Sequence, residues 1–177
     1  ARLEYLVENL LDMERIATGR MSSKLTRVNL DKVIEEAIAE IADYKPEKGV
    51  EILYKPSTTP ICVKGDALGL SKVFSILLSN AVRFSEPGGG VDVRVKRDGA
   101  RVAVSVIDRG VGIPKHSLQN IFLPFTQADQ SDTRKSDGAG LGLAIARSIV
   151  EEHGGAIEVQ SVEGQGAVFS FYLLPCV

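Results

Sequence analysis

Two neighbouring stretches of alternating residues constrain the fold of this chain more than any other feature. Valines at positions 91, 93 and 95 alternate with polar residues, and valines at 102, 104 and 106 repeat the pattern. Alternation with a period of two is typical of β-strands that bury one face. Asp98-Gly99 lies between the stretches, and such a dipeptide favours a two-residue turn between antiparallel strands. The sequence therefore predicts a hairpin that is followed directly by Asp108.

Helical periodicity surrounds this hairpin. Asn29 is a suitable cap for a helix whose apolar face runs from Leu30 to Ile41, and Asp66 for a helix that continues to about Phe84. A third helix is predicted over Leu141–His153, where Gly154-Gly155 ends it. The remaining predicted elements are a helix from near Pro114 and strands at Val50–Tyr54, Ile61–Val63, Ala156–Val162 and Val168–Leu174. Mixed elements of this kind predict an α/β (α+β) two-layer sandwich with one sheet face covered.

A heptad-like pattern opens the chain and ends near Gly19. This pattern fits either a surface helix packed on its own domain or the end of a long dimerisation helix. The boundary falls near residues 22–28, so we predict an N-terminal helix within residues 1–24 and a main domain over 29–177. The apolar positions of the pattern are Leu3, Leu6, Leu10, Met13 and Ala17.

Composition excludes several classes of protein. The 177 residues carry a formal net charge of -2, which provides no electrostatic basis for binding nucleic acid. No apolar run approaches the ~20 residues that span a bilayer, and the N-terminus does not resemble a signal peptide. The first residue is Ala1, so we expect a piece of a longer protein. With only Cys62 and Cys176, we expect two free thiols in a reducing compartment.

Three short motifs carry the chemistry. Asn80, Arg83 and Phe84 share one helical edge, where the Asn80 amide is either a structural group or a hard oxygen ligand for Mg²⁺. Asp108, with Gly110 and Gly112, follows a predicted strand. These residues form either a plain turn or an adenine site, in which the carboxylate accepts a hydrogen bond from the base and the glycines let the backbone approach it closely. The run Gly138-Ala139-Gly140-Leu141-Gly142 enters a helix, as a flexible hinge or as an anion site at the helix start.

Taken together and in this order, the motifs resemble those of the ATP-binding catalytic domain of sensor histidine kinases. The superfamily includes DNA gyrase, the heat-shock chaperone and the mismatch-repair ATPase. The resemblance covers essentially the whole chain, and Leu10–Ile16 with Gly19 resembles the end of the second dimerisation helix. The matching segments are the N box Leu77–Ser85, the first glycine box Asp108–Ile113, the F box Ile121–Phe125, the second glycine box Gly138–Ile145 and the closing turn Gly164–Phe169.

The resemblance implies a mixed sheet layered with helices, with ATP held between the helices and a lid. It implies that Asn80 holds Mg²⁺, that Asp108 reads adenine, and that Arg83 approaches the phosphates. The lid would be Thr126–Asp137. Further ATP-binding residues implied by the resemblance are Phe84, Gly110, Gly112, Ile113, Phe125, Arg134, Lys135, Gly138, Gly140, Leu141 and Gly142.

Two departures from the family pattern affect the functional reading. Ile76 stands where the family usually has a second N-box Asn, and Ile binds neither metal nor water. The nucleophilic histidine of the family lies on a helix before this segment. Only His116 and His153 are present, and neither has the neighbours of a phosphoacceptor, so we expect surface or capping roles for both.

The leading functional hypothesis is phosphoryl transfer from ATP, with Mg²⁺, to a histidine outside this chain. This hypothesis implies a response regulator as partner, a homodimeric parent protein and a cytoplasmic location. ATP hydrolysis is disfavoured, because the hydrolysing relatives carry a Glu base where Ile76 stands. A third possibility is a degenerate kinase that acts as a nucleotide-binding or scaffold signalling module.

Overall fold

The computed structural model describes residues 7, 9–12, 14, 25–43, 49–126 and 140–176. Three helices and seven strands lie within the described segments from residue 25 onward. They are β1 (Thr26–Asn29), α1 (Leu30–Asp43), β2 (Glu51–Tyr54), β3 (Cys62–Gly65), α2 (Ala67–Phe84), β4 (Gly90–Asp98), β5 (Arg101–Asp108), α3 (Gly142–Glu152), β6 (Ile157–Ser161) and β7 (Ala167–Leu173).

The alternating valines form the hairpin β4–β5, which lies inside a five-stranded sheet of order β2-β4-β5-β7-β6. β2 runs parallel to β4, and the other neighbouring strands are antiparallel, so the sheet is mixed. β1 and β3 form a separate antiparallel ribbon. The predicted two-layer α+β sandwich is confirmed.

One face of the large sheet carries the core. Val91, Val104 and Phe171 are fully buried on this face, and the positions between them along each strand are more exposed. α2 packs on β4 and β5, whereas α3 packs on β6 and β7. The period of two along the strands therefore separates a helix-covered face from an open one, as the sequence predicts.

Each helix begins or ends at a residue that satisfies its free backbone groups. The Asn29 side chain accepts a hydrogen bond from the Lys32 amide, and Asp66 accepts hydrogen bonds from the amides of Leu68 and Gly69. His153 follows α3 and is buried. Its Nε2 accepts the Asp66 N–H at 2.9 Å, and its Nδ1 lies 2.7 Å from the carbonyl oxygen of Ile149. This capping histidine therefore joins the end of α3 to the start of α2, while His116 is exposed.

Two local predictions are wrong in detail. Asp98 pairs with Arg101 as the last residue of β4, so the two-residue turn is Gly99-Ala100 rather than Asp98-Gly99. Gly99 has a φ of 57°, a conformation that favours glycine. The segment after Pro114 forms successive turns and no helix, because its amides bond to carbonyls three or four residues back without a continuing ladder.

The described residues of the opening segment are helical. Asn9 is buried, Leu10 and Leu11 are exposed, and Asp12 forms an ion pair with Lys72 of α2 at 3.2 Å. Among the predicted apolar positions, Leu3, Leu6, Met13 and Ala17 lie outside the described residues. Elsewhere in the described chain, α2 has the length and apolar composition of a membrane-spanning helix, but half of its residues are buried in the domain core.

The prediction of two free thiols is wrong. Cys62 and Cys176 form a disulfide across 114 residues of sequence, with Cα atoms 5.4 Å apart. Chain pairing brings them together, because the Cys176 N–H donates to the carbonyl of Cys62 and Lys64 donates to that of Leu174 at the edge of β3. The sequence alone could not reveal this pairing, since the two residues lie at opposite ends of the domain.

We predict that this disulfide stabilises the domain. A closed loop of this size removes entropy from the unfolded chain, so reduction is expected to lower the free energy of unfolding by about 2–4 kcal/mol. Urea unfolding with and without a reducing agent measures the difference. The Cys62→Ser/Cys176→Ser variant is the control, because its stability should not respond to the reductant. An unchanged midpoint for the wild-type chain under reduction would contradict the prediction.

Candidate functional site

The end of α2 presents the N-box side chains at one edge of the domain. The buried face of α2 fixes the helix, and Asn80 and Phe84 lie toward its exposed side. Arg83 donates from Nη2 to the Asn80 Oδ1 at 3.0 Å, and its guanidinium carbon lies 4.7 Å from the centroid of the Phe84 ring. An amide oxygen, a cation and an aromatic ring are thus held together, as their i, i+3, i+4 spacing predicts.

Asp108 is the last residue of β5, and its side chain is buried. Both of its hydrogen bonds reach the same oxygen: Oδ1 accepts the amide of Gly110 at 2.9 Å and the amide of Ala167 at 3.3 Å. Oδ2 makes no hydrogen bond within the described residues. Burial raises the pKa of the Asp108 carboxyl above its usual value, and the two amide hydrogen bonds partly oppose this rise.

Gly110 joins the first glycine box to the end of α2. A Cβ atom at this position would collide with the carbonyl oxygen of Phe84, and the same carbonyl accepts the Val111 N–H at 3.3 Å. The sequence pattern predicts a glycine that admits a flat ligand. In the structure, the missing side chain at Gly110 instead allows this segment to pack directly on the backbone at the end of α2.

Gly112 and Ile113 contact the turn between β6 and β7. Gly112 has a φ of 69°, and a Cβ there would collide with the carbonyl of Val162. The Ile113 N–H donates to the Ser161 Oγ at 2.8 Å, and the Gly164 N–H donates to the carbonyl of Val111 at 2.7 Å. The first glycine box is therefore held between α2 on one side and the closing glycine turn on the other.

A second group of predicted residues lies at the start of α3. Gly140 accepts the Phe125 N–H at 2.9 Å, and a Cβ on Gly140 would lie 2.7 Å from the carbonyl oxygen of Thr126. Leu141 is buried and Gly142 begins α3. Phe125 is 70% exposed. Among the described residues, no hydrogen bond joins this group to the Asp108 network.

The backbone hydrogen bond between Phe125 and Gly140 joins two residues that flank the segment predicted to be a lid. The predicted phosphate contacts Arg134, Lys135 and Gly138 lie outside the described residues.

The residues present are compatible with a magnesium nucleotide. The Asn80 Oδ1 is a hard oxygen donor whose second lone pair remains available beside the hydrogen bond from Arg83. The described residues contain no cluster of three or more His, Cys, Asp or Glu side chains suited to a metal ion. Mg²⁺ commonly takes few protein ligands and completes its shell with water and phosphate oxygens, so a site with one amide oxygen is consistent with this pattern. Asn80 is the residue that would hold the metal.

Sequence reasoning missed Ser161 and the amide of Ala167. Ser161 is an ordinary serine at a strand end, and no motif marks it. Ala167 contributes a backbone N–H, which every residue except proline carries. The one available signal in the sequence was the glycine turn beside Ala167. In the structure, Gly166 of this turn lies so close to Asp108 that a Cβ atom would collide with the Asp108 carbonyl oxygen.

Comparison with known proteins shows the family to which this chain belongs. Residues 65–176 match the family described as histidine kinase-, DNA gyrase B-, and HSP90-like ATPase. This chain belongs to that family, and it carries an ATP-binding catalytic domain of the histidine kinase type. The matched segment includes α2, Asp108, both described glycine groups and the closing turn.

Curated relatives match almost the entire chain. The alginate biosynthesis sensor protein KinB of Pseudomonas aeruginosa is 35% identical over 175 residues, which are 99% of this chain and 29% of that protein. The non-motile and phage-resistance protein of Caulobacter vibrioides is 34% identical over 172 residues, 95% of this chain and 20% of that protein. The chain therefore spans a minor part of the length of these relatives.

Solved structures share the fold. Full-length ShkA in complex with AMPPNP superposes with a TM-score of 0.84 at 31% identity, covering 99% of this chain and 36% of that one. The mycobacterial sensor histidine kinase MprB gives a TM-score of 0.72 at 28% identity, covering 85% of this chain and 97% of that one.

We predict that Gly110→Ala damages the site through steric conflict with the carbonyl of Phe84. The added methyl group has no room, so the variant should lose about 1–3 kcal/mol of stability and bind nucleotide more weakly. Gly90→Ala is the matched control, because the nearest atom to its new Cβ would be 3.9 Å away. Thermal unfolding and nucleotide titration provide the measurements. Equal stability of the two variants would contradict the assignment.

Proposed function

We propose that this chain binds ATP by hydrogen bonding the exocyclic amine of adenine to the Oδ2 of Asp108. The observation that carries the proposal is the asymmetry of this carboxylate: Oδ1 is held by two backbone amides, and Oδ2 has no hydrogen-bond partner among the described residues. A buried carboxylate with one free oxygen accepts strongly from an amine. It repels the oxo group that guanine carries at the same place.

The phosphate end of ATP would lie toward the edge formed by Asn80, Arg83 and the start of α3. Asn80 would hold Mg²⁺ through its amide oxygen, and the Arg83 guanidinium would contribute positive charge. Phe84 and Ile113 would line the adenine pocket, where Phe84 is 40% exposed and Ile113 is half-buried. The backbone amides at the start of α3, near Gly140 and Gly142, suit a phosphate anion. Arg134 and Lys135 are further phosphate contacts in this proposal.

The reaction we propose is transfer of the γ-phosphoryl group to a histidine on another part of the parent protein. The bond from the γ-phosphorus to the bridging oxygen breaks, ADP leaves, and a phosphorus–nitrogen bond forms as the imidazole loses a proton. In this proposal neither histidine serves as acceptor, since buried His153 uses both ring nitrogens and His116 lacks the acidic neighbour and downstream Arg of a phosphoacceptor box. Catalysis then rests on positioning and on neutralisation of phosphate charge.

The parent protein would act in two-component signalling, with a response regulator as partner. The segment over residues 1–24 would be the end of a dimerisation helix, which accords with the exposure of Leu10 and Leu11. We place the catalytic domain in the cytoplasm, where ATP is available.

A second candidate function is a signalling module that binds nucleotide without transferring phosphate. The observation in its favour is Ile76, which is 4% exposed and lies on the buried face of α2. An apolar side chain at this position leaves Asn80 as the one amide of the N box. A transfer assay distinguishes this module from an active kinase.

Asp108→Asn is expected to reduce the preference for ATP over GTP by about tenfold or more, the magnitude of one lost hydrogen bond to a charged group. Isothermal titration of both nucleotides measures the preference. The Asn side chain keeps an oxygen for the amides of Gly110 and Ala167, so the fold should persist. Equal affinity of the wild-type chain for ATP and GTP would refute the role of Asp108.

The same residue predicts a dependence on pH. Because burial raises the pKa of the Asp108 carboxyl, this group takes up a proton before an ordinary aspartate does as the pH falls. ATP affinity should therefore decrease on acidification earlier than expected for an unperturbed carboxylate. Asp108→Asn should not show this decrease.

We predict that the chain binds Mg·ATP, does not label itself, and labels a separate fragment bearing the dimerisation helices of the parent protein. The barrier is mainly one of positioning two bound partners, so supplying the acceptor should restore transfer. The product should be acid-labile and alkali-stable, as a phosphoramidate is. Binding without transfer to the added fragment would favour the module without kinase activity.

Asn80→Ala tests the metal within the same assay. Loss of the amide oxygen should weaken binding of Mg·ATP more than binding of metal-free ATP, and transfer should fall with it. Ser79→Ala is the control from the adjacent exposed position of α2. An equal loss with and without Mg²⁺ would assign a structural role to Asn80.

A further inference from the structure

We propose that the hydroxyl of Ser161 is a positioning residue that sets the adenine-reading geometry of Asp108. The inference rests on the proposed function and adds a determinant of the choice between adenine and guanine nucleotides. Ser161 ends β6 and lies outside every motif described above. It acts through the backbone of its neighbours, since its two hydrogen bonds are both made within the protein.

The hydroxyl joins two segments that meet at the site. It accepts the Ile113 N–H at 2.8 Å and donates to the carbonyl oxygen of Gly166 at 2.6 Å. These bonds use its one donor hydrogen and leave little room for any other partner. Ile113 closes the first glycine box, and Gly166 closes the β6–β7 turn, so one side chain controls the distance between the two.

Asp108 is part of a closed ring that is made of these hydrogen bonds and the short chain segments between them. Gly110, at the start of the ring, donates its amide to the Asp108 Oδ1, and Ala167 donates from the residue that follows Gly166. From Asp108 the ring runs through Gly110 to Ile113, across Ser161 to Gly166, and back through Ala167. A shift of the turn would move the Ala167 amide and therefore rotate the carboxylate.

Backbone packing transmits such a shift with little loss. A Cβ on Gly112 would collide with the carbonyl of Val162, and one on Gly166 would collide with the carbonyl of Asp108. At both glycines, the backbone of one segment is packed closely against the backbone of another. Close-packed interiors of this kind transmit a displacement rather than absorb it. Among the described residues, Ser161 provides the one side-chain hydrogen bond from β6 to the glycine segment.

The test compares nucleotide choice in hydroxyl-deleted and hydroxyl-retaining variants of the same chain. Ser161→Ala should raise the Kd for Mg·ATP and for Mg·ADP alike, by about fivefold to tenfold, because the defect lies at the adenine end. The Kd for GTP should change less than about twofold, so the ratio of GTP to ATP affinity rises. In the transfer assay, KM for ATP should rise while kcat remains nearly unchanged.

Two kinds of control separate positioning from stability. Ser170→Ala removes a hydroxyl that bonds Ser105 at 2.9 Å on the same sheet, away from the ring, and should leave the ATP preference intact. Ser161→Thr retains the hydroxyl and should restore the preference, whereas Ser161→Val has the same shape without it and should not. The Thr and Val pair decides the question if Ser161→Ala does not fold.

The outcomes are distinguishable from failure of the proposed function. A wild-type chain that does not prefer ATP overturns the adenine assignment itself. A wild-type preference that persists undiminished in Ser161→Ala or Ser161→Val overturns only the role of Ser161. A Val variant that fails to fold beside a folded Thr variant would assign the hydroxyl to stability and would also overturn the inference.

Discussion

The buried carboxylate of Asp108 is the group on which the geometry of the site depends. Burial of an aspartate is unfavourable unless its oxygens are satisfied, and here backbone amides from two different segments satisfy one oxygen. The strand β5, the glycine box and the β6–β7 turn must therefore lie at fixed distances from one another. The second oxygen has no hydrogen-bond partner among the described residues, and this imbalance gives the site its chemical character.

The helix α2 supplies the other half of the site, and its two ends are fixed by different means. At its start, Asp66 caps the helix and buried His153 holds the Asp66 amide, so α2 and α3 are locked together. At its end, the carbonyl of Phe84 packs against Gly110 and accepts the amide of Val111. Asn80 and Arg83 thus project from a helix whose position relative to Asp108 is determined by backbone contacts. This arrangement is suited to a reaction in which this domain contributes positioning and charge, and not the nucleophile.

Local structure could be predicted from the sequence to a considerable extent. The hairpin of alternating valines, the caps at Asn29 and Asp66, and the stop after His153 are all set by residues within a few positions of each other. Predictions were wrong where a local pattern permits more than one outcome. Asp98-Gly99 favours a turn, but strand pairing places the turn one residue later. Pro114 permits a helix start, but the amides that follow form isolated turns without a continuing ladder, and Pro124 interrupts the segment.

Sequence alone determined the type of site: an amide on a helix, an aspartate at a strand end and glycine-rich segments in an order that implies an ATP-binding domain. Tertiary structure decided how these groups are held. The Ala167 amide reaches Asp108 across 59 residues, Ser161 reaches Ile113 across 48, and Cys62 reaches Cys176 across 114. The reason is physical: a period or a cap depends on neighbours along the chain, whereas these contacts depend on which strands pair and in which register. The sequence around a serine, a backbone amide or a cysteine does not indicate its distant partner, because that partner is set by the strand register.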